Sequence, residues 1–453
     1  MKKKNLKKIL FLCLPTVIFS QSTVIDSIDN YHFTFEEAIN YGIENNYDIQ
    51  NANYDIESAE KKVWETISEG LPQIDGIAQY QNNLKQPVTI LPGEAVGGDP
   101  GTFIETVFGV KQNMTVGIGW NQLIFSGNYL VGIESSKVYK QIAELAKNKT
   151  EINVKVAIAQ AYSTVIIAKE NVKILKRNIE VAKKNLHESS ETYKVGLIEL
   201  QAVEQLELSL AQLKNAYKHS KRLVEVSKDN LKFVMGIPVA EDIILEDTIE
   251  NMITDNLVDS LIGESFKVEN NIDYLISQNT IKSNELLIKL NKSNALPTLT
   301  GNLNYTYMKG SEKFPLWDAN FNWNPSLVLG INLSVPIFSS FKRKSQRQQA
   351  EFELEKAYIS NTKLEEELEL TVRTQRNSYE NAVEIYYTSK DNMELAERIY
   401  KKETIKYFEG ISTSNDLIVS ENQYYNTQRD YITSVSDLTQ AKIALDKALN
   451  KYN

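Results

Sequence analysis

The chain carries nearly the same pattern twice. Glu44-Asn45-Asn46-Tyr47-Asp48 returns as Glu269-Asn270-Asn271-Ile272-Asp273, a shift of 225 residues. Leu71-Pro72 and Tyr80 return as Leu296-Pro297 and Tyr305 at the same shift. Further on the shift falls: Gly117-Ile118 matches Gly330-Ile331 at 213 residues. Tyr193-Lys194-Val195-Gly196 then matches Tyr407-Phe408-Glu409-Gly410, and Glu207, Tyr217 and Leu231 match Glu421, Tyr431 and Leu445, at 214. The first copy therefore holds about a dozen extra residues between Tyr80 and Gly117. A repeat this long fixes the architecture before anything else does. Each copy reads helix, strand, strand, helix, helix, a plan for a pseudo-symmetric body rather than a solenoid. The expected division is a leader over 1–20, a first repeat over 21–236 and a second over 237–453.

The leader has the form of a secretory signal. Lys2, Lys3, Lys4, Lys7 and Lys8 precede an apolar run, Ile9 to Phe19, that is too short to span a bilayer as a helix. Cys13 is the only cysteine and lies inside that run after Leu12, which is not the small residue a lipid-anchoring site requires. The mature chain then has no thiol for disulfides or metal. Losing the five leader lysines takes the net charge from −9 to about −14. An acidic chain without a basic run argues against nucleic acid. No later stretch is apolar enough for a membrane helix, so any membrane crossing must be made by strands.

Four segments have the period-two alternation of such strands. Over 298–307, Leu299, Gly301, Leu303, Tyr305 and Tyr307 alternate with Thr and Asn; over 326–335, Leu327, Leu329, Ile331, Leu333 and Val335 alternate with mostly Ser, Gly and Asn. Weaker copies run over 73–84 (Ile74, Gly76, Ala78, Tyr80) and 113–123 (Met114, Val116, Ile118, Trp120). Ten residues with one apolar and one polar face is the length and pattern of an outer-membrane barrel strand. Four strands cannot close a barrel, so partner chains are required. The long Gly- and Pro-containing connections, Lys85 to Gln112 and Met308 to Asn324, suit extracellular loops. Trp317, Phe321 and Trp323, with Tyr305, Tyr307 and Trp120 on the strands, are candidates for a membrane-interface aromatic girdle.

After each strand pair the chain becomes helical for longer than a globular domain allows. The expected helical hairpins run over about 129–235, with a tip at 193–198, and about 343–450, with a tip at 407–412. A 60-residue helix is about 90 Å long. In the last helix Leu417, Tyr424, Tyr431 and Leu438 recur at a strict seven-residue step, the spacing of supercoiled packing. Taken without the strands, these helices would make a secreted structural or adhesive coiled coil with no channel, and that is the competing reading.

A leader, two tandem copies, a strand pair and a long helical hairpin in each: this arrangement resembles the TolC-like outer membrane efflux family over essentially all of the mature chain. The opening Phe33-Thr34-Phe35-Glu36-Glu37-Ala38-Ile39, the Leu-Pro before each first strand and the tips Tyr193-Lys194-Val195-Gly196-Leu197 and Tyr407-Phe408-Glu409-Gly410-Ile411 are similar to that family's motifs. The resemblance implies a mainly α protein with a transmembrane β part. It implies a homotrimer whose twelve-stranded barrel, four strands from each chain, sits in outer-membrane lipid and continues into a long periplasmic α-helical barrel. Segments about Ile25 to Ile67 and Ile237 to Leu290 would pack around the middle of that tube. It further implies docking with a periplasmic adaptor and an inner-membrane pump, and export of drugs, metal ions or proteins, with no cofactor.

No catalytic constellation is expected. His32, His187 and His219 are scattered, and there is no His-Glu-x-x-His, phosphate loop or Gly-x-Ser-x-Gly. On the resemblance, Val195, Gly196, Leu197, Glu409, Gly410 and Ile411 would meet the adaptor, and Tyr193, Glu199, Tyr407 and Asp416 would form the periplasmic constriction, with Glu204 a further candidate. The family's Arg is replaced by Ser412 and its Asp by Ala202, so the family's Arg–Asp lock cannot form as such. Asp416 keeps two readings: an acidic ring selecting cations, or a carboxylate favoured at a helix N-terminus.

Overall fold

The computed structural model describes residues 31–107, 109–256, 265–318 and 322–452. The leader expected over 1–20, Ile25 and Phe321 lie outside the described residues. After a short first strand come two helices, α1 (Phe35–Asn45) and α2 (Tyr47–Ser68). Strands β2 (Gln73–Asn82) and β5 (Gln112–Ser126) follow, then the helical pair α3 (Gly127–Lys194) and α4 (Leu200–Met235). After the short α5 (Ile249–Asn256) the order recurs, with α6 (Ile272–Ser293), β7 (Thr298–Ser311), β8 (Asn324–Ser334), α7 (Lys342–Phe408) and α8 (Ser414–Ala448).

The duplicated Asn-Asn motif has a physical cause. Asn46 caps α2 by accepting from the Asp48 and Ile49 amides at 2.8 and 3.2 Å, and Asn271 caps α6 by accepting from the Asp273 amide at 2.9 Å. Each cap also holds the far end of a return helix. Asn46 Nδ2 donates to the Val234 carbonyl at the end of α4, and Asn271 Nδ2 to Asn450 Oδ1 just past α8, both at 2.7 Å. One residue type thus satisfies orphan amides and ties helices roughly 180 residues apart in sequence.

Two small sheets were not legible in the sequence. β1 (Tyr31–Phe33) pairs in parallel with β6 (Ile243–Leu245), bringing Phe33, Ile243 and Leu245 into the main core with Ile158, Tyr162, Leu231, Met235 and Leu438. The connection expected as a loop from Lys85 to Gln112 contains a hairpin instead, β3 (Val88–Pro92) against β4 (Phe103–Val107). The loop expected from Met308 also begins later, because β7 runs on to Ser311. Lys309 Nζ donates to the Asp318 carbonyl at 2.5 Å, and Ser311 to the Asp318 carboxylate, which extends the ladder beyond the alternating segment.

Candidate functional site

Four strands form one antiparallel sheet in the order β2-β5-β7-β8, with β2 and β8 as its two edges. The register stacks the apolar sets in rows. Ile74, Trp120, Leu303 and Leu329 lie across from one another, as do Gly76, Ile118, Tyr305 and Leu327. One bulge, between Leu123 and Phe125, shifts the phase of β5 so that Phe125 meets Leu299 and Leu333. Without that extra residue, polar and apolar faces would exchange at the lower end of β5. The apolar face is bare: Ile331, Leu329 and Ile74 are 69–71% exposed. The other face carries Thr298, Thr300, Asn302, Asn304 and Thr306 of β7 beside Gly117, Gly119 and Gly330. A Cβ on Gly117 would lie 2.4 Å from the Tyr305 carbonyl, so glycine there permits close strand contact. Pro325 is accommodated because β8 is an edge strand.

The candidate girdle residues fall into separate contacts. Tyr80, Phe314 and Trp317 make an aromatic run with centroids 5.3 and 5.0 Å apart, leaving Trp317 86% exposed. The Tyr305 and Tyr307 hydroxyls are 2.6 Å apart. Lys309 Nζ lies 5.9 Å over the Trp323 ring, and Trp120 sits lower, opposite Leu303.

At the opposite end, both helical hairpins turn through the same backbone motif. Leu197 N–H donates to the Thr192 carbonyl and Gly196 N–H to that of Tyr193; Ile411 and Gly410 donate likewise to Lys406 and Tyr407. These paired bonds close a helix through a residue in the left-handed region, here Gly196 at φ 76° and Gly410 at φ 75°. Val195, Leu197 and Ile411 are exposed around them.

The remaining tip residues divide. Tyr193 is exposed, and Glu199 is the N-cap of α4 without a side-chain capping bond. Glu204 is exposed and Ala202 is buried. Tyr407 is buried, its hydroxyl 3.4 Å from Ser189 Oγ, so it contributes to hairpin packing and presents little surface within the chain. Asp416 closes a capping box with Thr413, accepting from its Oγ1 at 2.6 Å and its amide at 3.2 Å. The hydroxyl bond first, then the amide, holds the Asp416 carboxyl below its ordinary range. The capping reading therefore accounts for this side chain within the protomer. Ser412, where the family has Arg, donates to Glu403, which also pairs with Lys406 at 3.1 Å.

Sequence reasoning missed the most buried carboxylate among the described residues. Glu421 on α8 is 1% exposed and accepts from Ser209 Oγ at 2.7 Å, Tyr425 OH at 3.0 Å and Tyr400 OH at 3.3 Å. Asn185 Nδ2 reaches Tyr400 OH at 2.9 Å, and Asn178 donates to Gln428 at 2.6 Å one heptad along α8. Burial, with the Glu421 charge next, pushes the Tyr400 and Tyr425 hydroxyls far above their ordinary value, so both remain donors. Ser209 on α4 and Asn185 on α3 belong to the first hairpin, so the network joins the two. Its one visible sign in the sequence was the match of Glu421 to Glu207.

Among the described residues no group of three His, Cys, Asp or Glu side chains is placed to hold a metal, and no helix is long and apolar enough to cross a membrane. His32 lies 3.3 Å from Glu246, while His187 and His219 are exposed on α3 and α4.

The four-stranded sheet set on long helical hairpins is a fold shared with solved outer membrane channels. Residues 270–451 match the family described as Outer membrane efflux protein. The chain is 22% identical over 354 residues to Outer membrane protein TolC of Vibrio cholerae serotype O1, covering 72% of this chain and 76% of that one. It superposes on the channel CusC with a TM-score of 0.71 at 13% identity, covering 92% of this chain and 91% of CusC. It superposes on the outer membrane channel CmeC of Campylobacter jejuni with a TM-score of 0.67 at 17% identity, covering 92% and 85%. The TolC-like outer membrane efflux family read from the sequence is the one these comparisons return.

Proposed function

We propose that this chain is the outer-membrane channel of a tripartite efflux pump or type I secretion system, a passive conduit from the periplasmic side to the exterior. The observation that carries this reading is the register of the four-stranded sheet. It gathers every apolar row on one face and leaves β2 and β8 as unpaired edges. In lipid an open edge leaves backbone groups unsatisfied, so the sheet must close on copies of itself. Three chains supply twelve strands, with the apolar face toward lipid and the Asn/Thr/Gly face lining the bore. The element order that recurs in the two halves supports two tandem repeats, 21–236 and 237–453. Their α3/α4 and α7/α8 hairpins then alternate around the periplasmic tube.

The hairpin tips are the proposed adaptor contact, through Val195, Gly196, Leu197, Glu409, Gly410 and Ile411. Exposed apolar side chains at a solvent-facing turn support this assignment. Tyr193, Glu199 and Asp416 would face the periplasmic mouth. The inner-membrane pump joins through the adaptor, and the protein itself contributes no catalytic step.

The test is cell fractionation followed by planar-bilayer recording of the detergent-extracted protein. Heat-modifiable trimers in the outer-membrane fraction, with stepwise conductance, are expected. A soluble periplasmic or secreted protein without conductance would leave the coiled-coil reading in its place.

A further inference from the structure

The joint between β8 and α7 breaks several local rules at once. Ile337, Phe338 and Phe341 are 90%, 78% and 71% exposed, and the two phenylalanine rings lie edge to face with centroids 6.5 Å apart. Ser340 and Phe341 both have positive φ, 47° and 62°, where glycine is the usual occupant. Arg343 holds this turn shut by donating to the Pro336 carbonyl at 2.9 Å and to the Ile337 carbonyl at 3.4 Å. Lys342, Arg343 and Lys344 then open α7, with no acid in its first turn. The helix dipole disfavours cations there. Among the described residues none of the three makes an ion pair, whereas the next cation, Arg347, pairs with Glu351 at 3.1 Å. Nothing inside the protomer accounts for this charge or for the exposed rings. The first copy has no counterpart, because α3 follows β5 directly and its first cation is Lys137.

The height of the joint indicates the partner. Tyr307 on β7 pairs with Pro325, and Leu299, on the lowest apolar row, pairs with Leu333. From Pro325 to Leu333 the strand advances about 26 Å, or about 19 Å in height at a 45° tilt. An outer-membrane apolar band is about 25 Å tall, so with the Tyr305–Tyr307 pair at its outer rim the sheet stops about 6 Å short of the inner rim. Val335, Ile337 and Phe338, all exposed, carry the apolar surface across that gap. The three cations just beyond then stand level with the headgroups of the periplasmic leaflet. Exposed rings beside unpaired Lys and Arg suit a surface that sets its apolar side chains among acyl chains and holds anionic headgroups. Phosphate oxygens accept charge-assisted bonds from both kinds of cation.

We propose that the 336–344 segment of each copy binds an anionic phospholipid of the periplasmic leaflet, with Ile337, Phe338 and Phe341 among the acyl chains and Lys342, Arg343 and Lys344 on the headgroup phosphate. This inference rests on the outer-membrane reading above. Two measurements on the full-length trimer test it. After extraction from vesicles of equal phosphatidylglycerol and phosphatidylcholine, native mass spectrometry should find about fivefold more phosphatidylglycerol retained. Lys342→Gln/Lys344→Gln should abolish that preference and leave trimers intact; Arg343 is kept because it holds the turn. Cys13, in the expected leader, is the only cysteine, so Phe338→Cys can carry a single fluorophore. Bromine on the phosphatidylcholine chains should quench it, while a label at Gln349→Cys, lower on α7, stays bright. Equal retention of the two lipids, or a preference that survives the double substitution, overturns the proposal. So does a label at position 338 that bromolipid leaves bright, whether iodide in the water quenches it or a neighbouring copy covers it. A monomer, or a protein that does not enter vesicles, would instead remove the channel reading itself.

Discussion

Three helices end on a glycine in the left-handed region, and their surroundings predict different costs for the same substitution. Gly196, Gly410 and Gly236 have φ of 76°, 75° and 81°. A Cβ at Gly196 or Gly410 meets nothing within 4 Å, whereas at Gly236 it would lie 2.2 Å from the Asn45 carbonyl oxygen and 2.7 Å from its carbon. An L-residue held left-handed costs about 1–2 kcal/mol, and Asn recovers part of that. Gly196→Ala and Gly410→Ala should therefore cost about 1–2 kcal/mol each, with the Asn variants milder. Gly236→Ala adds overpacking of about 1–3 kcal/mol, because the Asn45–Asn46 backbone must move away from α4 while Asn46 stays bound to Val234. Gly236→Asn brings the same Cβ and gives no relief. Hydrogen exchange of the amides closing each helix reads these local openings directly. The reasoning fails if Gly236→Ala is as mild as Gly196→Ala, or if Asn at 196 is no better than Ala. The space at the tips has a functional consequence as well. Bulky residues at 196 and 410 should leave trimers intact in the outer membrane yet abolish export by cells that also hold the cognate adaptor and pump. Lost trimers would instead assign these glycines a purely structural part.

Other expectations follow from single contacts. Glu421→Ala strands the Ser209, Tyr400 and Tyr425 hydroxyls in the core and should cost about 3–5 kcal/mol, whereas Glu421→Gln keeps an acceptor and should cost about 1–2; chemical denaturation of the helical region checks the order, and equal losses would refute the network. Leu329→Arg, mid-sheet on the apolar face, should cost about 2–4 kcal/mol in lipid while Asn302→Arg on the polar face is tolerated; refolding into vesicles would read this, and the reverse order would invert the barrel. Glu37 and Asp416 are both held below their ordinary values of 4.5 and 3.8, chiefly by Thr34 and Thr413. Their contribution is therefore complete above those values and is lost as pH falls through the lower folded ones. The first turns of α1 and α8 should fray below about pH 4 in amide exchange and be indifferent between pH 6 and 8.

The legible parts of the fold are those in which local sequence and final environment agree. β7 and β8 could be read because one face is wholly apolar, so register and pattern carry the same information. The tips could be read because a left-handed helix stop selects glycine. The β1/β6 pair could not, since three residues of parallel pairing between positions 31 and 245 leave no local period. The β3/β4 hairpin was hidden by Gly and Pro in its own connection, which read as loop. Glu421 was hidden for another reason. The seven-residue step Leu417, Tyr424, Tyr431, Leu438 marks the face of α8 toward α7, but α8 also packs on α3 and α4. Its buried stripe therefore widens to Glu421, Gln428 and Val435, which a single-seam pattern leaves in solvent. At the mouth, Tyr407 and Asp416 were placed by family pattern, and the side-chain contacts give them packing and capping work within one protomer.

The central claim is that three copies close these open sheets into a single conduit. Electron microscopy of the detergent-extracted protein tests it most directly. A tapered hollow cylinder with threefold symmetry, its helical part about 100 Å long as a 68-residue α3 requires, is the predicted result. Solid rods, or a protein that leaves the cell envelope without detergent, would contradict it.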